Sequence, residues 1–203
     1  VRAIAPKAGR WQIDSEAFDA VVLAVPVWEA VRLIASVPAG QPWTASAGGL
    51  RHTAIATVYL RTGTCASSAP GLAEPMLALD ASDEEPAQFL FDRGRLGGPA
   101  GLLAFVVSAA HGERAAIEAA VLRQAKRVLR RDDLVPVATV LERRATFACV
   151  PGLRRPPRRM ARALVAAGDD VEGPYPATLE GAVRSGEAAA AEALRAASEP
   201  PAQ

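Results

Sequence analysis

The sequence predicts a mixed fold, α/β plus α+β, in which the two ends of the chain share one sheet and the middle builds another. Residues 19–26, DAVVLAVP, form a continuous apolar run of β-branched character, which is typical of a parallel strand buried on both faces. Residues 164–169, LVAAGD, form a second such strand. Between them, strand-like runs alternate with Gly- and Pro-rich turns, which favours an antiparallel sheet.

The remaining elements are predicted in chain order from the same patterns. A hairpin is expected over residues 1–13 with its turn at 6–9, and a helix over 28–35. Residues 36–49 are dense in Pro, Gly and Ser, which indicates a domain boundary. The predicted domains are therefore 1–35, 36–150 and 151–203, with the first and last forming one domain and the tail at 198–203 disordered.

Within the middle segment, strands are predicted over residues 52–61, 88–91, 102–109 and 137–147. One helix is predicted over 113–131, because Ile117, Val121, Ala125 and Val128 recur at helical spacing. A second long helix is predicted over 179–197, where the small residues Ala182, Gly186 and Ala190 would permit close packing.

Composition excludes several functional classes. The chain has 203 residues, 50% of them hydrophobic, so a hydrophobic core is expected. Its net charge of +1 gives no reason to expect nucleic-acid binding. Cys65 and Cys149 lie far apart, which disfavours a disulfide framework and a zinc site. His52 and His111 have no ligand-type neighbours, and the acidic residues at 80–85 lack calcium-loop spacing, so both are interpreted as structural or solvated and no metal site is predicted.

The longest apolar run, residues 101–110, is much shorter than the roughly 20 residues that cross a bilayer. A cytoplasmic protein is therefore expected. The chain opens with Val1 rather than Met, which is interpreted as truncation of a longer protein.

The chemistry-bearing stretch is residues 164–191. Gly168 would let the backbone approach a ligand, and the Asp169 carboxylate could accept hydrogen bonds from ribose or ribityl hydroxyls. The helix that starts near Thr178 and Leu179 presents free N–H groups and the positive end of its dipole, which stabilise negative charge such as that of a reduced flavin. Each feature alone fits an ordinary βα unit, and the ordered combination is much more specific than any of its parts.

The string AGD, a short loop and ATLEGAVRSG resembles the C-terminal FAD motif of the flavin amine oxidase and phytoene desaturase superfamily. Four strings, PATLEGAVRSGEAAA, RRATFACVPGLRRP, FLFDRGRLGG and HTAIATVYLR, are similar to the squalene-associated FAD-dependent desaturases, or hydroxysqualene dehydroxylases, over nearly the whole chain. The resemblance implies the C-terminal part of a two-domain enzyme, with a partial Rossmann-like FAD domain and a mostly antiparallel-sheet substrate domain. It also implies FAD as cofactor, an apolar isoprenoid as substrate, and the reduction of hydroxysqualene to squalene in hopanoid or isoprenoid biosynthesis.

Carried onto this sequence, the resemblance assigns roles to eight positions. Asp169 would contact the ribityl or pyrophosphate part of FAD, and the Leu179 N–H would face flavin O2. The other six implied cofactor-binding positions are Val1 against adenine, Pro26 at the end of its strand, Gly168, Thr178, Gly181 and Ala182. No catalytic residue is assigned.

Departures from the family pattern narrow the expected function. Thr178 stands where amine oxidases place an aromatic residue, and neither Lys7 nor Lys126 falls in the strand predicted at 52–60, where many of them carry a lysine. Amine oxidation is therefore disfavoured. The chain has no Gly-x-Gly-x-x-Gly fingerprint, which is expected upstream of it. The alternatives are a carotenoid or phytoene-type desaturase, another member of the superfamily, and a non-catalytic partner or lipid-binding module.

An arginine cluster follows the predicted sheet of the middle domain. Arg154, Arg155, Arg158 and Arg159 are interleaved with prolines, and Arg162 is nearby. A solvated, partly paired loop is one interpretation, and peripheral contact with anionic lipid head groups is another. Nucleic-acid binding is disfavoured because no aromatic residues interleave.

Overall fold

The structure is a computed structural model and describes residues 1–62 and 72–198. The chain divides into two units: the first comprises Val1–Arg51 and the returning segment from Phe147, and the second comprises His52–Thr146. Cys65 and the predicted disorder after residue 198 lie outside the described residues, and Cys149 is exposed.

Eleven strands and four helices are present in the described ranges. In chain order they are β1 (Ile4–Lys7), β2 (Arg10–Ile13), β3 (Glu16–Phe18), β4 (Val21–Leu23), α1 (Val27–Ile34), a 3₁₀ turn (Pro38–Gly40), α2 (Gln41–Gly48), β5 (His52–Thr62), β6 (Met76–Ala78), β7 (Phe89–Asp92), β8 (Leu102–Ser108), α3 (Arg114–Leu129), β9 (Leu134–Phe147), β10 (Arg159–Ala161), β11 (Leu164–Ala166) and α4 (Leu179–Ser198).

The first unit opens with an antiparallel sheet of order β1-β2-β3. The predicted hairpin is confirmed, with Ala8 and Gly9 at positive φ in its turn. Trp11 is buried, and its indole N–H donates to the Arg162 carbonyl at 2.9 Å, which ties the hairpin to the returning segment. β3 was not predicted, because three exposed residues carry no hydrophobic period.

The second sheet of this unit has the order β10-β11-β4, and β4 and β11 are parallel, as predicted. Val21 pairs with Leu164 and Leu23 with Ala166. The predicted burial on both faces is wrong for β4: Val21 and Leu23 are buried, but Val22 between them is 38% exposed. Only one face of β4 is therefore fully covered by the described residues.

The segment predicted to leave the first domain in fact completes its core. Residues 36–51 contain the 3₁₀ turn and α2, and Trp43, Ala47 and Leu50 are buried in the hydrophobic cluster of the first unit. The Trp43 indole N–H donates to the Pro157 carbonyl at 2.7 Å. The predicted boundaries after residues 35 and 150 are therefore corrected to Arg51 and Thr146, since burial of Trp43 and Phe147 outweighs the loop-like composition.

The second unit is a five-stranded sheet of order β6-β7-β8-β5-β9. The four strands and the helix predicted here are confirmed, and the three-residue β6 was missed. One face of the sheet forms the hydrophobic core with α3: the buried members include Val58, Leu60, Leu90, Phe105, Val107, Ile117 and Val121. Side chains on the opposite face remain partly exposed.

Helix α3 holds the connection between β6 and β7 through polar contacts. The buried Gln124 amide donates to the Ala87 carbonyl and accepts from the Ala87 N–H, both at 2.9 Å, so its donor and acceptor are both satisfied. Arg127 forms a two-point ion pair with Glu85. Glu85 is therefore paired, which corrects the interpretation of this acidic loop as simply solvated.

His52 begins β5, and His111 is exposed between β8 and α3. Over residues 1–62 and 72–198, no helix combines the length and hydropathy that crossing a bilayer requires.

The Glu85–Arg127 pair predicts an acid-dependent loss of stability. The Arg127 guanidinium lowers the pKa of the Glu85 carboxyl below its ordinary value of 4.5, so the pair stabilises the fold above that value and ceases to do so as the pH falls through the folded-state pKa. We expect Glu85→Gln to lower the urea midpoint at pH 7, with the difference from wild type vanishing in acid. A difference that is the same at pH 7 and pH 3 would contradict this linkage.

Candidate cofactor site

The parallel pairing of β4 and β11 brings two predicted site segments to one sheet edge. The Ala167 N–H donates to the Leu23 carbonyl at 3.0 Å, so the chain leaves both strands side by side. Pro26 follows one strand as the N-cap of α1, and Gly168 and Asp169 follow the other. Carboxyl ends of neighbouring parallel strands are where ligands bind in α/β sheets.

The loop that follows β11 requires a glycine at position 168. Its N–H donates to the Ser185 hydroxyl at 3.2 Å, which ties the end of β11 to α4. A Cβ at this position would overlap the Asp170 carboxylate. Asp170 therefore fills the space beside Gly168. This corrects the expectation that the glycine lets the backbone approach a ligand.

Asp169 presents a carboxylate that has no hydrogen-bond partner among residues 1–62 and 72–198. Its backbone carbonyl, by contrast, accepts from Arg155 at 3.1 Å. The main chain is thus anchored while the side chain stays partly exposed, an arrangement that suits the predicted contact with ligand hydroxyls.

Arg155 anchors the whole loop between β11 and α4. Besides Asp169, its guanidinium donates to the carbonyls of Val171, at 2.8 Å, and Gly173. It also lies over the Phe147 ring, 6.0 Å from the centroid.

Thr178 is the N-cap of α4. Its hydroxyl donates to the Tyr175 carbonyl at 2.7 Å and accepts from the Gly181 N–H at 3.0 Å, while its carbonyl accepts the first helical bond from Ala182. The single hydroxyl proton of Thr178 is therefore donated to a hydrogen bond within the protein.

The N-terminal turn of α4 leaves two donors available. The N–H groups of Leu179 and Glu180 have no partner within the described part of the chain, since the cap satisfies only Gly181. The Leu179 side chain is 88% exposed. Tyr175 is half-exposed with Arg184 stacked over its ring at 5.1 Å, so the donors are flanked by apolar surface.

The buried stripe of α4 is offset by one residue from the predicted one. Gly181, Ser185 and Ala189 are the buried residues, whereas Ala182 and Gly186 are partly exposed and Ala190 is exposed. A Cβ at Gly181 would overlap the Tyr175 carbonyl oxygen, so close packing of the loop requires this glycine. Ala182 is beside the packed face rather than in it.

Val1 is not gathered with the other candidate residues. It precedes β1 and is 70% exposed, and its carbonyl accepts from Arg32 in the last turn of α1, whereas Pro26 lies before the first turn of that helix.

The arginine cluster is partly internal. Arg158 and Arg159 pair with Glu192 on α4, and Arg155 holds the loop, whereas Arg154, Arg159 and Arg162 are exposed. Lipid contact stays a prediction, and these exposed arginines are the part of the cluster available for it. Lys7 lies in β1 and Lys126 in α3, so β5 carries neither lysine. Among the residues described, no group of three or more His, Cys, Asp or Glu side chains could hold a metal ion.

Sequence reasoning missed Arg155 and Ser185. The spacing of Ser185 from Gly181, one helical turn, was a usable signal for the buried face. Nothing in the local pattern distinguishes Arg155 from the arginines around it, because its partners lie in a different segment.

The two glycines of α4 provide a matched test of this packing. We expect Gly181→Ala to destabilise the protein by about 1–3 kcal/mol, because the new methyl group displaces the Tyr175 carbonyl. Among the described residues outside its own helix, no atom lies within 4 Å of the Cβ position of Gly186, so Gly186→Ala should stabilise by about 0.5–1 kcal/mol through helix propensity alone. Chemical denaturation measures both, and equal effects of the same sign would refute the close approach at Gly181.

A family model described as flavin containing amine oxidoreductase matches residues 5–194. No curated protein matches. An oxidoreductase from Methanosarcina mazei is similar in structure, with a TM-score of 0.66 and 14% identity over 94% of this chain and 48% of that one. A protein from Pyrococcus furiosus aligns with a TM-score of 0.64 and 12% identity, covering 89% of this chain and 42% of the other.

These similarities agree with the predicted mixed fold, and at such identities the solved structures report on the fold alone. The chain spans about half the length of each of them. The family match covers most of the sequence, including both segments that meet at the sheet edge. The chain belongs to the family of flavin-containing amine oxidoreductases.

Proposed function

We propose that the full-length protein is an FAD-dependent oxidoreductase that acts on a long apolar isoprenoid, and that it reduces hydroxysqualene to squalene. The observation that carries the substrate class is the apolar face of the second unit's sheet that α3 does not cover. The cofactor part of the proposal is supported by the family match and by the groups at the carboxyl edge of β4 and β11.

The residues that follow β11, from Asp169 to the start of α4, fit a flavin nucleotide. Two unpartnered N–H groups, of Leu179 and Glu180, lie at the positive end of a 20-residue helix, and such groups favour an acceptor that gains negative charge. The exposed Leu179 and Tyr175 side chains offer apolar contact to a planar ring. The Asp169 carboxylate would accept from ribityl or ribose hydroxyls.

The open sheet face is defined by the strand register. Thr57, Val106 and Phe89 are paired across β5, β8 and β7, and Tyr59, Ala104 and Phe91 form the next row. Their neighbours in sequence, such as Val58, Phe105 and Leu90, point into the core with α3. Met76 and Phe89 are 47% and 37% exposed. Neither row has a charged side chain, whereas the next row contains Arg61 beside Leu102, so the part of the face formed by these two rows suits a hydrocarbon better than an amine.

The choice of hydroxysqualene rests on the sequence strings that resemble the hydroxysqualene dehydroxylases and on the absence of the amine oxidase features. Its conversion to squalene replaces a C–OH bond by a C–H bond, which takes up one hydride and one proton and releases water. FAD, when bound and reduced, would supply the hydride. This chain's residues would bind the cofactor and keep water from the apolar substrate.

The direct test uses the full-length protein, reduced flavin and hydroxysqualene under anaerobic conditions, with the products analysed by gas chromatography and mass spectrometry. We expect squalene and stoichiometric oxidation of the flavin. The rival, a phytoene-type desaturase, runs hydride transfer from substrate to flavin. Turnover of phytoene with no squalene formed would reject the proposed substrate.

A pair of adjacent valines tests the sheet face separately. Val106 lies on the open face and Val107 in the core, where it is 3% exposed. We expect Val106→Thr to raise KM for the apolar substrate about tenfold, since a hydroxyl against hydrocarbon costs about 1–2 kcal/mol, with little change in Tm. Val107→Thr should lower Tm and leave KM unchanged. The same response from both variants would remove the argument from the open face.

A further inference from the structure

We propose that Arg155 is a positioning residue that fixes the loop of residues 169–173 in the conformation that binds the cofactor. The inference rests on the proposed function, because it concerns the same site. Arg155 makes no proposed contact with the cofactor itself and acts through the main chain of the loop.

The guanidinium engages three carbonyls in five consecutive residues. One terminal nitrogen donates to the carbonyls of Asp169 and Val171, at 3.1 and 2.8 Å, and the other donates to that of Gly173. These carbonyls belong to alternate residues, so one planar fork spans the length of the loop. A charged donor also makes each of these bonds stronger than a neutral one.

Arg155 is itself held in place. Its guanidinium lies over Phe147, which is 3% exposed, and the next residue, Pro156, is fully buried. The Pro156 carbonyl accepts from the Glu172 N–H at 2.8 Å, so the main chain of this segment is also bonded to the loop, between Val171 and Gly173. The Trp43 indole N–H fixes the following carbonyl, that of Pro157. The segment is therefore a rigid template for the loop.

If the guanidinium contacts were lost, the bond from the Glu172 N–H to the Pro156 carbonyl would remain, but it fixes only one residue of the loop. A cavity of about 720 Å³ adjoins it, lined by Ser46, Leu153, Arg154, Arg155, Glu172 and Gly173. Because this space is open, the loop has room to move once the three bonds are removed.

Movement of the loop would reach the cofactor groups at both of its ends. Asp169, whose carboxylate is proposed to bind hydroxyls, is one of the bonded residues. At the other end the chain runs to Tyr175, whose carbonyl accepts from the α4 cap and packs on Gly181. Arg155 thus sets the position of the carboxylate and of the helix N-terminus together.

The test compares Arg155→Lys and Arg155→Gln with Arg10→Gln in the full-length protein. Lysine keeps the charge, but its single ammonium cannot span the three carbonyls. Arg10 is the matched control, an exposed arginine of the same unit that bridges a carbonyl, of Ala17, and a carboxylate, of Asp19. The readouts are hydrogen exchange of the residues 169–175 in the flavin-free protein, the Kd for FAD, and the visible circular dichroism of the bound flavin.

We expect both Arg155 variants to exchange faster in the loop, to bind FAD about tenfold more weakly, which corresponds to about 1.4 kcal/mol, and to show an altered flavin signal, with Arg10→Gln like wild type. Faster exchange with unchanged FAD affinity and spectrum would overturn the positioning role and leave the proposed function intact. Full rescue by lysine would overturn the three-carbonyl geometry. Failure of the wild-type protein to bind FAD would reject the proposed function and the positioning role with it.

Discussion

The parallel ladder between β4 and β11 is the interaction on which the candidate site depends. It joins two segments that the whole second unit separates in sequence, and it aligns Leu23 with Ala166 so that both strands release the chain at one edge. Without it, Pro26 and Asp169 would have no common location. The ladder is only three residues long in each strand, so packing by α1, by α4 and by the buried Trp43 must supply much of its stability.

The loop that leads from this ladder to α4 is held in an unfavourable conformation. Tyr175 and Ala177 both have φ of 56°, which non-glycine residues seldom adopt and which costs about 1 kcal/mol or more each. Thr178, Gly181 and Arg155 supply the contacts that compensate for this cost. A backbone determined by so many contacts is suited to present an N-terminal helical turn in one orientation, which is the condition for electrostatic stabilisation of a ligand.

The sequence predicts those parts of the fold whose signal is periodic and long. Helix α3 and strands β5 and β8 have a hydrophobic repeat along their length, and all three were predicted within a few residues of their observed bounds. Strands β3, β6 and β10 have three residues each, too few to show a period, whereas the equally short β4 and β11 were predicted from continuous apolar runs.

The site was predicted in part for the same reason. Its motif is local, so the strand end and the helix start could be located, but the neighbours of the two glycines could not. Asp170 beside Gly168, Tyr175 beside Gly181 and Arg155 on the loop carbonyls result from the folded path of the chain. The unit boundary was misplaced because Trp43 is buried through tertiary contacts that the surrounding Pro and Gly do not reveal.

The division of the first unit between two chain segments also sets an order of events during synthesis on the ribosome. Residues 52–146 form a continuous stretch whose sheet and helix contacts are all available once that stretch has emerged. The first unit cannot complete its folding at that stage, because β4 has no parallel partner until β11 has been synthesised. Until then the apolar side chains of β4 and α1 are without their later cover, and they are the segments that a nascent-chain chaperone would be expected to bind.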